Sequence, residues 1–211
     1  MAFCNNLKPD KSPGIISGNP LHGLCERVCI QTRKVFDACI NQMTQENVSI
    51  ALHNMQPSNP VQPLSFISAA SVGSRGLVSN VSIEPIAGGA PGCKRVIATV
   101  TIPVEIIYAD ANGTEGRGFG ELTYLRDVVM NVPENSVFPT EIHATVNMVS
   151  PFGVYSQDNI FILTCCVTIV LTAEADAFLL VPSYGYSYIP PCQEFTQEVC
   201  TGVFDLPLFP Q

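Results

Sequence analysis

Cysteine is the residue type with the most chemistry to offer in this chain. There are nine, and three of them, Cys25, Cys29 and Cys39, fall within the single stretch "CERVCIQTRKVFDAC". Thiols so placed could bind a metal, act as nucleophiles or form disulfides. His22, Cys25 and Cys29 stand three and four residues apart and would share one face of a helix. Pro20 and Gly23, however, argue against a helix that begins ahead of Leu24, and the paired Cys-x₂-Cys knuckles of a zinc site are missing. No metal site is therefore expected. A catalytic thiol needs a neighbouring histidine or another cause of lowered pKa, and the sequence locates none.

The other reactive side chains are as unpromising. His22, His53 and His143 belong to no Gly-x-Ser-x-Gly elbow, His-Glu-x-x-His helix or phosphate loop. On the polar side of its segment, His143 reads as a solvated side chain. Glu115, Glu121, Glu134 and Glu141 could furnish a glycosidase pair, but four carboxylates so close in sequence come near one another without any design. Asn47, Asn80 and Asn112 open Asn-x-Ser/Thr triplets that matter only in a secretory context. No enzyme and no cofactor are expected.

The elements that carry these residues are mostly strands. "RVIATVTIPVEIIY" sets Val96, Ala98, Val100, Ile102, Val104, Ile106 and Tyr108 on one face, the period-two mark of a half-buried strand. Pro103 cannot donate to a ladder, so an edge or a bulge is expected there. Asn112-Gly113 predicts a two-residue type I′ turn between strands running from Tyr108 to Tyr124. "EIHATVNMV" turns Ile142, Ala144, Val146 and Met148 inward. "FILTCCVTIVLTA" does the same with Phe161, Leu163, Cys165, Val167, Ile169, Leu171 and Ala173. Val100, Ile102, Val104, Val146, Leu163 and Ile169 are the expected centre of the core. Gly116, Gly118 and Gly120 alternate along one strand, which suits close approach of another backbone or ring.

The fold class that follows is all-β: an antiparallel β-sandwich or barrel with a short N-terminal helical segment and extended N- and C-terminal arms. The helix is expected within 24–56, where Val28, Thr32, Val35 or Phe36, and Cys39 recur at steps of three and four. The expected layout is residues 1–63 as N-terminal arm, Cys-containing segment and Pro-rich linker. Residues 64–181 form the β-sandwich domain, and 182–211 an extended tail.

Within that layout the cysteines divide. Cys165 is a small apolar core residue, and Cys166 must point the other way, among threonines. Cys4, Cys25, Cys29, Cys39, Cys192 and Cys200 lie outside the β-core. An odd total cannot pair completely within one chain, so these six are candidates for disulfides between subunits. Composition fits a surface covered by a partner, or equally a large β-domain with a Thr/Ser/Asn-rich exterior. Only 13% of residues are charged, against roughly 25% in a typical globular domain, while 46% are hydrophobic. The net charge of −8, with ten scattered basic residues, argues against nucleic acid. The longest apolar run, Phe161–Ala173, is too short for a membrane helix, so no membrane insertion is expected.

"RVCIQTRKVFDAC", Arg27–Cys39, resembles the "CIQTKKVYDSC"-type segment near the N-terminus of clostridial proteins assigned to the spore surface. The region from about Lys94 to Ala173 is similar to the SPOCS-type domain of spore coat assembly proteins, with Ile106, Ile107, Tyr108, Asp110 and Gly113 matching its hairpin pattern. The resemblance implies a self-assembling structural subunit of the bacterial endospore surface: coat, exosporium or surface fibre. Its partners would be further copies of itself, and other spore coat proteins. Such a protein would be made in the cytoplasm, where thiols stay reduced, and would meet oxidising surroundings on the spore. The start, "MAFCNNLKPDKSPG", lacks a signal-peptide pattern and agrees with that expectation. The alternative is a β-sandwich binding module that recruits another spore coat protein or a carbohydrate.

Overall fold

A computed structural model describes residues 18–90, 92–134 and 137–187. The described residues contain eight strands and no helix. In chain order they are β1 (Glu26–Ala51), β2 (His53–Gln56), β3 (Ser65–Ser71), β4 (Arg75–Pro85), β5 (Cys93–Ala109), β6 (Glu115–Asn131), β7 (Glu141–Tyr155) and β8 (Ile160–Ser183). They build one antiparallel sheet in the order β1-β8-β7-β3-β5-β6-β2, with β4 pairing β5 and β7 beside that path. The chain divides into two compact units: Met1–Thr32 with Phe178–Gln211, and Arg33–Ala177.

The larger unit holds the core. Val96, Ala98, Val100, Ile102, Val104, Ile106 and Tyr108 are all fully buried, as alternation predicts for β5. Phe161, Leu163, Cys165, Val167, Ile169, Leu171 and Ala173 do the same from β8, and Ile142, Ala144, Val146 and Met148 from β7. All six residues expected at the centre are buried. Ile50 and Leu52, at the end of β1 and just past it, join the same cluster. Each large aliphatic side chain so buried contributes about 1.5–3 kcal/mol.

Three local expectations are corrected. The segment expected to be helical, 24–56, is strand throughout β1 and β2. Its β-branched and aromatic residues, Val28, Ile30, Thr32, Val35, Phe36 and Ile40, favour that state. Second, Pro103 is neither at a sheet edge nor in a bulge. The β3 ladder on β5 ends at Ser71↔Val104 and the β4 ladder begins at Leu77↔Thr101. Pro103 sits at the change of partner, and its carbonyl accepts from Val72 N–H at 2.8 Å. A missing donor there interrupts no ladder.

Third, the β5–β6 hairpin is real and unbroken from Cys93↔Asn131 to Ala109↔Glu115, but its loop is not a type I′ pair. Only Gly113 has positive φ, at +79°. Asp110 holds the loop instead. Its Oδ1 accepts from Thr114 N–H at 2.8 Å and from Asn112 N–H at 2.9 Å, an Asx-type arrangement. These bonds, Thr114's foremost, hold the Asp110 carboxyl below the usual aspartate range against the opposing effect of burial.

The glycines of β6 fit the close approach expected of them. A Cβ on Gly116 would lie 2.6 Å from the Tyr108 ring and 2.9 Å from Gln56 O. One on Gly118 would meet Leu52 at 2.8 Å, and one on Gly120 would meet Ile50 at 2.3 Å. The passage from β1 to β2 thus lies against the inward face of β6, and only glycine leaves room for it.

Candidate assembly surface

The thiols differ sharply in setting. Cys165 is buried on the inward face of β8. Burial, and secondarily neighbouring Cys166, push its pKa up to about 11, so it remains a protonated thiol at neutral pH. Cys166 is exposed, in register with Val149 of β7, with its sulfur 4.0 Å from Thr44 Oγ1 of β1. Cys39 is half-buried, its pKa raised by burial and then by Asp37. Cys93 is half-buried and Cys29 exposed, and both are free thiols, as are Cys39, Cys165 and Cys166. Of the six residues expected to link subunits, Cys25, Cys29 and Cys39 lie at the start of or along β1. Cys4, Cys192 and Cys200 lie outside the described residues. Among the described residues no three His, Cys, Asp or Glu side chains gather as a metal site would require.

The outward side of the β7–β8 pair is apolar at the end near their connecting turn. Phe152 is 72% exposed and Val154 69% exposed, and Val149 and Ile162 are exposed beside them. Register places Val149 opposite Cys166, Phe152 opposite Thr164 and Val154 opposite Ile162, so the four apolar residues form one stripe with the exposed thiol in it. In the smaller unit Leu179 and Leu180, on opposite faces of β8, are both exposed, as is Ile30 of β1. There Cys25 N–H donates to Ser183 O at 2.9 Å, and Tyr184 OH donates to Pro20 O.

Two polar clusters escaped the sequence reading. At the first, Arg33 of β1 lies 3.4 Å from Glu141, 3.7 Å from Glu174 and 3.8 Å from Asp176. His143 Nε2 is 2.6 Å from Arg33 Nη1 and 3.0 Å from Glu141 Oε2, so this histidine belongs to the cluster rather than standing solvated. Arg33, Glu141 and Asp176 are about half exposed and Glu174 and His143 less so, and surface pairs of that kind contribute at most about 1 kcal/mol each. The second cluster centres on Arg126. It occupies an inward position of β6, between Tyr124 and Val128, where alternation calls for an apolar side chain. Among the described residues its Nη2 donates only to the Met43 thioether, at 3.3 Å, and its guanidinium lies 5.3 Å from the centre of the Tyr124 ring. Its Nε is buried with no hydrogen-bond partner among the described residues. The signal was present: Arg126 is the one charge on that face of β6. The clefts beside the two clusters measure about 40 and 180 Å³, smaller than the roughly 300–1,000 Å³ of small-ligand sites.

Searches of family models, curated proteins and solved structures find no match to this chain. What the chain does must therefore be argued from these surfaces. The described residues contain no helix long and apolar enough to cross a membrane.

Proposed function

We propose that this protein is a self-assembling structural subunit of the bacterial endospore surface, in a coat, exosporium or surface fibre, reinforced by disulfides between subunits. The observation that carries the assembly reading is the outward apolar stripe of β7 and β8, with Phe152 and Val154 largely exposed in a chain of low charge. Contiguous exposed apolar residues of this kind support a contact with another macromolecule. The spore setting rests on the resemblance of Arg27–Cys39 and of the Tyr108–Gly113 hairpin. The chain acts as scaffold rather than catalyst.

In the covalent step two thiols lose two electrons and two protons to dioxygen, giving one disulfide and hydrogen peroxide. Exposed Cys29 is accessible to it, and buried Cys165 is not. Electron microscopy of the purified full chain tests assembly, with filaments or sheets expected. Mass spectrometry of the assembled, alkylated and non-reduced material tests the linkage. Disulfide peptides are expected from among Cys4, Cys25, Cys29, Cys39, Cys192 and Cys200, with Cys165 recovered as thiol. A strict monomer at high concentration, in oxidising as well as reducing buffer, would end the assembly reading. Complete alkylation of all six would end the covalent one.

A further inference from the structure

We infer that the open edge of β6 receives an extended segment of a second copy, residues 197–206, with Asp205 seated against Arg126. This rests on the reading that the chain assembles with itself, and it assigns a second contact beside the stripe of β7 and β8.

The edge comes first. β2 pairs β6 only at Arg117 and Phe119. Alternate residues of a strand aim their main-chain groups at the same edge, and the β5–β6 register has no slip. Glu121, Thr123, Leu125, Asp127 and Val129 therefore aim theirs along the edge that β2 leaves. Among the described residues no strand pairs with β6 there. The amide of Asn131, next in that row, donates instead to the Asp37 carboxylate at 2.7 Å. An edge of this length is a template for strand addition. Beside it lies the cleft of about 180 Å³, walled by Cys39 and Asn41 of β1 and by Arg126 and Val128, with Ile169 and Leu171 of β8 also lining it.

The second observation is the guanidinium itself. Arginine carries five donors. Among the described residues, one here is buried with no partner and another has only a sulfur, a weak acceptor. An unpaired donor held out of water is unfavourable, and an incoming carboxylate removes that penalty with a charge-assisted bond.

The chain supplies a matching segment beyond Ser187. In "QEVCTGVFDL", Val199, Thr201, Val203 and Asp205 share one parity and would fall on one face once the segment is extended. That face has one charge, a carboxylate, at its end. The inward face of β6, with Leu122, Tyr124, Arg126, Val128 and Met130, likewise has one charge, of opposite sign. Pro190, Pro191 and Pro207 bound the segment and none falls inside it, as a ladder-forming strand requires.

A charge exchange on the full chain tests this. Arg126→Asp and Asp205→Arg are each expected to abolish assembly, because each faces like charges in a desolvated cleft. An equimolar mixture is expected to restore it, since the seam of each variant then meets the segment of the other. Circular dichroism melts check that both variants fold, and Arg126→Gln serves if Arg126→Asp does not. In wild type, amides of Leu125 and Asp127, which flank Arg126 on that edge, are expected to exchange slowly in the assembly and quickly in dilute monomer. Single variants that assemble like wild type, or edge amides indifferent to assembly, overturn the inference. So does a mixture that stays monomeric; if the double variant then behaves as wild type, the segment docks within its own chain. Wild type that never assembles takes down the functional reading too, whereas assembly indifferent to Arg126 takes down only this interface.

Discussion

At the scale of single residues, the fully buried face of β5 makes the sharpest demand. Val104 is 0% exposed and in contact with the rest of the core. Val104→Asp would bury a carboxylate with no partner, and the expected loss of stability is on the order of 3 kcal/mol or more. Denaturant or thermal unfolding of the variant measures it, and a wild-type melt would mean the face is misassigned. Asp110 makes a different demand. Its carboxyl sits below the ordinary range because Thr114 and Asn112 donate to its charged form. A lowered folded-state pKa contributes stability that is complete above the unfolded value, about 3.9, and is lost as pH falls through the folded one. Asp110→Asn is therefore expected to melt below wild type at neutral pH, with the gap closing as pH drops below about 4. A gap that stays constant down to pH 2 would show that charge is not what holds the loop.

At the scale of elements, the turn from β1 into β2 depends on the glycines it crosses. A Cβ at Gly120 would stand 2.3 Å from Ile50 Cγ2 and 3.1 Å from the Ala51 carbonyl oxygen. Even Gly120→Ala is then expected to cost about 1–3 kcal/mol by overpacking. Glu121→Ala, one residue on but exposed, is expected to stay within about 0.5 kcal/mol; equal melts for the two would refute the crossing. This region also shows where the sequence was legible. β5, β7 and β8 bury one face against the core, so burial enforces period two, and their inward residues could be read off directly. β1 carries only half-buried and exposed residues until Ile50. No buried face imposed alternation on it, and apolar residues at steps of three and four imitated a helix. Arg126 went unread because it is a lone charge in an otherwise regular strand, and only the position of Met43 shows how poorly its donors are met. The outward stripe was hidden for a similar reason. Val149, Phe152 and Val154 do not keep one parity, and the register shift between Val149 and Phe152 brings them to the same side.

At the scale of the whole molecule, stability and assembly draw on different surfaces, and that separation can be tested. The core is closed within the larger unit by β5, β7 and β8, whereas Phe152, Val154 and Ile162 spend their apolar area on solvent. An exposed side chain contributes little to folding, so Phe152→Glu together with Val154→Glu is expected to shift stability by no more than about 1 kcal/mol, within the range of two surface changes. The same pair puts two like charges into the stripe that the functional reading assigns to a neighbour. Desolvating unpaired carboxylates at an interface is costly, so assembly is expected to weaken at least tenfold in critical concentration, which corresponds to about 1.4 kcal/mol. Light scattering against concentration reads assembly, and a thermal melt of the dilute protein reads folding. Lower melting with unchanged assembly would return Phe152 and Val154 to the core side of the ledger. Loss of assembly at an unchanged melting temperature is the expected result, because the residues that hold this sheet together lie on its inward face and these two do not.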